Sequence, residues 1–435
     1  MWASALKFRH KPAFAMASPW AATPVSSVNR QIVAFRAEPT SRTPAAPAKP
    51  VAAELVGLDQ MLRYRADWHA LVPQALERNV FLEPAFALAA AQHFAIAQRP
   101  RFLLAWSVAQ GIQPRKLIGL CPIAPAKGFG RGLGPGLDGG LARGWLTRQA
   151  ALGTPLLDRA FAAEALAAML NHVATAMRYG SLLLAQMPQD GATARLIRAT
   201  AVEGGRDVRL LGAYRRACLS GGDAGMAALD AGLSSKRKKE VRRQRHRLEA
   251  TQALDFVSAR GAGEVRQAVE YFLRLEAGGW KGAGGTALLC DPGETAFVRA
   301  ATRGLAEAGK CRVDMLMRGD TPVAMAIVLH SGASAAYWKI AHDENFAAHS
   351  PGVLLTLDTS RRQVADAAIA MTDSCAIAGH PMIDRVWPER MPVADMLIAT
   401  RPGHAASFGL THARVALAGR LREAAKSAYH RWRKR

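Results

Sequence analysis

The residues best equipped for chemistry lie in two short stretches late in the chain, HDENFAAHSPG (342–352) and TDSCA (372–376). In the first, Ser350 is a good N-cap type and Pro351 suits the first helical position, where no amide donor is needed. Gly352 lets a ligand approach the backbone closely. The run that follows, with Leu354, Leu355, Leu357 and Val364, suits a helix whose first N–H groups would be unpaired. Such a start is either an ordinary capped helix or an anion site suited to the pyrophosphate of a nucleotide-like cofactor. AIAMTDSCA (368–376) then reads as a strand parallel to the one before the helix, because a crossover helix of the right length joins them. Its carboxyl end carries Asp373, Ser374 and Cys375, followed by Gly379-His380-Pro381-Met382-Ile383-Asp384. Ligands gather beyond the carboxyl ends of parallel strands, so Asp373 and His380 are expected near the helix that starts at Ser350. One pocket would then hold an anionic cofactor and groups able to move a proton.

The elements that must position these residues are legible upstream. Val265, Val269, Phe272 and Leu275 mark a helix that reaches Glu276 and is broken by Gly278-Gly279-Trp280-Lys281-Gly282. A helix is expected over Glu294–Ala308, then three strands, CRVDMLMR, TPVAMAIVLH and ASAAYWKIA, with turns at Gly319-Asp320 and Ser331-Gly332. An earlier body, from Leu58 to about Leu219, has a related rhythm. It opens with helices at LDQMLRYRADWHALVPQAL and Pro84–Ala97, followed by a hairpin of 101–110 and 116–126. After the loop GFGRGLGPGLDGG, which lacks the phosphate-loop pattern, come a helix (158–177), the strand SLLLAQM and another helix. The repetition of pattern suggests two copies of one αβ unit.

Together, Leu275-Glu276 with Trp280-Lys281-Gly282, Tyr337-Trp338-Lys339 with Asp343, Ser350-Pro351-Gly352, and Asp373-Ser374-Cys375 with the 379–384 loop and Trp387 carry a resemblance. Residues 225 to 402 resemble the GNAT-type acetyltransferases of the CelD-like (cellulose biosynthesis) group, relatives of the FemAB peptidyltransferases, which pair two GNAT-like units. A weaker pairing covers 58 to 219. The resemblance implies an α/β (α+β) fold of two GNAT-like units, each a mixed splayed sheet flanked by helices. It implies acetyl-CoA or another acyl-CoA as co-substrate between two parallel strands, held at Ser350, Pro351, Gly352 and Val353. An amine acceptor would enter from the other side, with Glu276, Trp280, Lys281, Asp343, Ser374 and Asp384 as its contacts. The chain departs from the usual [QR]-x-x-G-x-[GA], with His349 in the first position and Leu354 in the last. Acyl transfer to an amine also needs a base near neutral pKa, typically contributing a factor of about 10² to 10⁴. Asp373 and His380 are the candidates, directly or through water, while backbone N–H groups of the splayed strand would polarise the carbonyl. Trp338 and Trp387 read as core, and Cys375 has no base paired with it by spacing.

Composition sets the frame. At 435 residues, 50% of them hydrophobic, the chain suits two domains. The expected division is a disordered tail over 1–50, units over 51–222 and 223–402, and a basic helical tail over 403–435. No apolar run approaches the roughly 20 residues of a spanning helix, so a cytoplasmic protein is expected. Five scattered cysteines indicate neither a disulfide framework nor a zinc site, and no metal is expected. Of the net charge of +23, +6 lies in residues 1–50, +7 in 234–247 and +8 in 401–435, leaving the folded bodies almost neutral. That distribution is weak support for nucleic-acid binding. Two alternatives to acyl-CoA chemistry remain: a FemAB-like transfer from charged tRNA gripped by Lys236 to Arg247, and a non-catalytic GNAT fold that binds a partner. THARVALAGRLREAAKSAYHRWRKR, with Val415, Leu417, Leu421 and Tyr429 among cations, fits peripheral attachment to the inner membrane or a solvated tail.

Overall fold

The computed structural model describes residues 34–35, 51–108, 114–125 and 140–432; the glycine-rich loop before Gly140 and most of the expected N-terminal tail lie outside them. Ala34–Phe35 (β1), inside that tail, pairs with Arg209 and Val208. The first unit then runs β2 (Val51–Val56), α1 (Leu58–Arg63), α2 (Arg65–Leu71), α3 (Pro84–His93), β3 (Arg101–Ser107), β4 (Leu117–Ile123), β5 (Leu141–Arg143) and β6 (Leu156–Leu157). It ends with α4 (Ala162–Thr175), β7 (Ser181–Pro188), α5 (Ala192–Glu203) and the long β8 (Val208–Ser220). The second unit runs α6 (Gly222–Gly232), α7 (Ser235–Glu249), β9 (Leu254–Ala259), α8 (Ala262–Gly278), α9 (Trp280–Ala283) and α10 (Pro292–Glu307). It continues with β10 (Cys311–Arg318), β11 (Thr321–Ser331), β12 (Ser334–His342), α11 (Pro351–Ala365), β13 (Met371–Asp373), β14 (Arg390–Ala399) and α12 (Ala405–Trp432).

Both expected αβ units are present, but they interlock. The main sheet has the order β5-β7-β14-β8-β13-β12-β11-β10-β9, with β1 on β8, and β2-β3-β4-β6 form a second sheet. β14, expected in the second unit, lies between β7 and β8 of the first. The far end of β8 in turn pairs with β13, Cys218 opposite Asp373. A division at residue 222 therefore cuts the chain but not the sheet. Sequence periodicity marks a strand and its faces; it carries no information on which edge the strand joins.

The hairpins β3–β4 and β10–β11–β12 form as expected, the last turn helped by Gly332 at φ 58. The α8 and α10 faces bury Val265, Phe272, Phe297 and Val298 against β11 and β12. This core continues into the first unit, since Phe86 of α3 meets Phe297 edge-on at 5.0 Å and Trp338 at 5.6 Å between ring centroids. On the other face, α11 packs Leu354, Leu355 and Val364 with Trp387, which is fully buried and donates its indole N–H to Ser360. No helix among the described residues is long and apolar enough to cross a membrane. The helical C-terminus is real: α12 seats Phe408 in the core and leaves Leu410, Leu417 and Leu421 exposed on one stripe.

Because the aromatic trio spans both units, Phe297→Ala is expected to cost about 3–5 kcal/mol. Urea unfolding followed by far-UV circular dichroism checks this. A single transition shifted as a whole is expected, not the separate loss of one unit.

Candidate active site

The site is built on an irregularity of β12. Ile327 of β11 pairs with Lys339 and Val328 with Tyr337, so Trp338 is an extra residue, a β-bulge. The bulge puts two successive side chains on one face of the sheet. Trp338 packs in the α8–α10 core and Lys339 lines a cavity on that face, while Tyr337 points to the α11 side, its hydroxyl 3.0 Å from that of Thr356. On its other edge β12 pairs in parallel with β13 only at Ser334, Ala335 and Ala336, opposite Met371, Thr372 and Asp373. β12 runs on to His342, so beyond Ala336 the two strands part and a seam opens between them.

At the far end of β12, the segment Glu344–His349 leads into α11. Ser350 stands at the N-cap position as expected, but in the left-handed region (φ 50, ψ 49), and its side chain caps nothing. The amides of Val353 and Leu354 turn back to the Ser350 carbonyl at 2.9 and 3.2 Å. Gly352 does not leave its open side to a ligand, since a β-carbon there would point at His342 Nδ1 and Ile340 at 3.6 Å. Helix α7 packs beside this start. Ser234 Oγ caps α7, accepting from the Arg237 amide at 3.3 Å, and Arg245 pairs with Asp358 of α11. Lys236, Arg237, Lys238, Lys239, Arg242 and Arg247 have no carboxylate partner among the described residues. The positive end of α11 and the neighbouring cationic helix together suit a multiply charged anion.

The cavity that Lys339 lines measures about 300 Å³ and is shared by both units. Glu276, Trp280 and Lys281, expected as acceptor contacts, meet in it, together with Glu294 and with Arg148 and Gln149 of the first unit. Glu276 is buried and saturated, because Lys281 Nζ donates to Oε1 at 2.6 Å and the Leu288 amide to Oε2 at 2.9 Å. It thereby clips the glycine-rich turn into place. Gly282 in that turn approaches the Ala277 carbonyl so closely, 1.8 Å from where a β-carbon would stand, that no side chain fits. Glu294 accepts from Arg148 Nε and from Gln149 Nε2, and the Gln149 carbonyl accepts from the Trp338 indole at 2.7 Å. Trp280 is 66% exposed, so it is a rim residue and not a core tryptophan. Lys339 makes no hydrogen bond or ion pair among the described residues and rests over the Trp338 ring at 5.3 Å. Burial, then Lys281, lower its ammonium pKa to about 8, against the opposing pull of Glu276 and Glu294.

The two expected base candidates are placed elsewhere. Asp373 lines a second, more apolar cavity of about 340 Å³ with Phe81, Leu152, Cys218 and Met391. Its Oδ2 lies 2.5 Å from Arg216 Nη2, the two side chains being 5% and 1% exposed, and its Oδ1 accepts from the Cys375 amide at 2.9 Å. Burial is the strongest influence and works against the Arg216 charge, but Asp373 and the other neighbouring groups together raise the guanidinium. Asp373 also does not meet the α11 start. It stands opposite Ala336, six residues before the end of β12, a distance of roughly 20 Å at about 3.3 Å per residue. β13 is too short to bring the two carboxyl ends level. His380 lines neither cavity, and its Nδ1 faces the amides of Met382 and Ile383 at 3.3 and 3.4 Å. Burial lowers its pKa.

Of the remaining expected contacts, Asp343 caps Glu344–His349 by accepting from the Asn345 amide, and buried Ser374 accepts from Ala376. Asp384 lies 3.7 Å from Arg390. None of the three lines the charged cavity. Lys339, Glu294, Arg148 and Gln149 carried no role in the sequence reading. The Tyr337-Trp338-Lys339 run of the resemblance is the one sequence signal for them, and it touches Lys339 alone.

Residues 235–376 match the family model of the acetyltransferase (GNAT) domain, a span that runs from the first turn of α7 to just beyond β13. No curated protein matches the chain. Among solved structures, a conserved protein of unknown function from Bacteroides thetaiotaomicron is similar at 12% identity and TM-score 0.46, over 77% of this chain and 97% of that one. FemX is similar at 10% identity and TM-score 0.47, over 78% and 94%. A tandem GNAT protein from the clavulanic acid biosynthesis pathway is similar at 12% identity and TM-score 0.40, over 80% and 98%.

The Arg216–Asp373 pair makes a firm prediction. Asp373→Asn strands a buried guanidinium and is expected to cost about 3–5 kcal/mol, whereas Arg216→Met with Asp373→Leu should recover most of that. Chemical denaturation of the three proteins measures it. Equal losses in both variants would show that the site tolerates no apolar filling.

Proposed function

We propose that the chain is an N-acyltransferase that takes an acyl group from acetyl-CoA or another acyl-CoA and passes it to an amine acceptor. The carrying observation is the seam between β12 and β13, which joins an anion-favouring helix start to a charged cavity reached from the opposite face. The match of residues 235–376 to the acetyltransferase (GNAT) domain supports the same reading. Ser350, the Gly352 amide at the positive end of α11 and the α7 cations would hold the phosphates of the donor. Pantetheine would run along the parted edge of β12, whose free backbone groups can polarise a carbonyl. The amine acceptor would lie in the cavity beneath Trp280, with the Glu276–Lys281 pair shaping its wall. What the donor supplies is an activated thioester; this chain holds both substrates and polarises the carbonyl.

Ser350→Asp tests the donor end cleanly. Aspartate is as good an N-cap type and tolerates the left-handed region, so the melting temperature should hold or rise. Its charge repels a pyrophosphate, and acetyl-CoA affinity measured by calorimetry is expected to fall by about tenfold or more, which is 1.4 kcal/mol. Equal binding by both proteins would remove the helix start from the reading.

A second reading, transfer from a charged tRNA, rests on the same unpaired α7 cations. Under it, binding would weaken steeply with salt, and glutamine at Lys236, Lys238, Lys239 and Arg242 would flatten that slope. Filter binding at physiological salt is expected to show no saturable tRNA complex, while the same four substitutions weaken acetyl-CoA. Tight, salt-sensitive binding to charged tRNA would reverse the order of the two readings.

A further inference from the structure

In the charged cavity, one titratable side chain has no partner in the walls. Glu276 has both oxygens taken, by Lys281 and the Leu288 amide, and Glu294 has both taken, by Arg148 and Gln149. Asp373 is locked to Arg216 and lines the other cavity. Lys339 remains, a primary amine on a bulge with its head in the space where an acceptor would stand.

Its place in the strand matters as much as its freedom. Ala336 is opposite Asp373 in the parallel pair. Beyond that pair the neighbouring chain turns away, with the Ser374 amide bonded to Ala217 of β8 and Cys375 at φ 55, so Lys339 stands on a stretch of β12 that β13 does not cover. Cys375 packs against the same core that holds Trp338. Burial and the adjacent Asp373 push the Cys375 thiol well up, which leaves it uncharged and a poor nucleophile. Lys339 is therefore an amine that stands both on the uncovered stretch of β12 and in the wall of the cavity.

We propose that Lys339 is the proton carrier of the transfer, taking the proton that the acceptor nitrogen sheds and passing it to the departing sulfur. This rests on the thioester-to-amine reading above. The acceptor arrives as a free amine, its first proton lost to solvent. Its nitrogen attacks the acyl carbon, and a C–N bond forms as the C–S bond breaks. The surplus proton on nitrogen goes to Lys339 Nζ, which returns one proton to the leaving thiolate. The products are an amide and a thiol, and the lysine is unchanged. A lysine serves here because its surroundings let it exist uncharged. Burial, then Lys281 of α9, disfavour its cation, while Glu276 of α8 and Glu294 of α10 pull the other way without touching it; the Cys375 thiol, being neutral, adds no charge. Of the cavity's two other cations, Arg148 is held by Glu294 and Lys281 by Glu276.

The test uses the full chain, acetyl-CoA as donor and glycinamide as a minimal primary amine, with thiol release followed against pH. Glycinamide's own amine titrates at about 8, so rates are expressed per concentration of its free base. Because the uncharged Lys339 is the active form, that corrected rate should still rise with pH through a midpoint near 8. Lys339→Gln and Lys339→Arg should each lower turnover by about 10² to 10⁴ and erase that inflection, with melting temperature and acetyl-CoA affinity held. A Lys339→Arg protein that keeps its rate overturns the inference, because arginine preserves the charge and cannot release the proton. The wild type gives an independent reading without any substitution. Acetic anhydride labelling read by mass spectrometry should show Lys339 titrating near 8 and protected by acetyl-CoA. Bound acetyl-CoA that leaves Lys339 unprotected overturns this inference alone. No calorimetric binding of acetyl-CoA overturns the acyl-CoA reading and the proton carrier with it.

Discussion

The joint between the two units is organised around one buried ion pair, Arg216 with Asp373. Arg216 comes from the last strand of the first unit and Asp373 from the shortest strand of the second. Neither charge can be taken out of water alone, since an isolated buried ion costs far more than a domain's margin of stability. Each is therefore tolerated only when β8 and β13 lie side by side. Arg216 also donates to the Ala151 carbonyl at 3.1 Å and to Gln186 at 3.3 Å, which ties the 148–152 segment to the same point. Arg148 and Gln149 reach the charged cavity from that anchored segment. A pair that looks catalytic by residue type is thus the constraint that sets the two units in register.

The exchange of β14 follows the same logic at the scale of strands. It fills the place between β7 and β8, so both edges of β14 are paired and no open edge is left at the joint. What remains unpaired is the seam beyond Ala336, where β12 and β13 part. In a sheet otherwise bonded across nine strands, that opening exposes backbone groups which need a partner. The bulge at Trp338 is what lets the strand bend away there while keeping its bonds to β11.

Charge is handled differently at the two ends of the seam. Around the α11 start, cations outnumber carboxylates and the surface is open, which suits a polyanion that brings its own charge. Inside the cavity each carboxylate is matched by a cation or an amide, and Lys339 is left over. Its lowered pKa comes from this imbalance under burial, not from any single contact.

Local signals gave much of this outline directly. The helices α8, α10 and α11, the three antiparallel strands and the parallel β13 follow from apolar spacing and from Gly and Pro punctuation, which depend only on near neighbours in the chain. Trp387 as core, and the clustering of Glu276, Trp280 and Lys281, were likewise legible, the last because the three lie within six residues of one another. The roles of Asp373 and Lys339 were not. Asp373 sits at a strand end in any reading of the sequence; only the arrival of Arg216, 157 residues earlier, makes it an ion-paired girder. Lys339 became a free amine in a cavity because a bulge turned it to the face of Trp338, and because Arg148 and Gln149 from the other unit occupied Glu294. The swap of β14 into the first unit's sheet had no local signal either. Sequence determined which segments could be helix or strand and which faces were apolar. Partners distant along the chain decided which charges were used up and which one was left able to act.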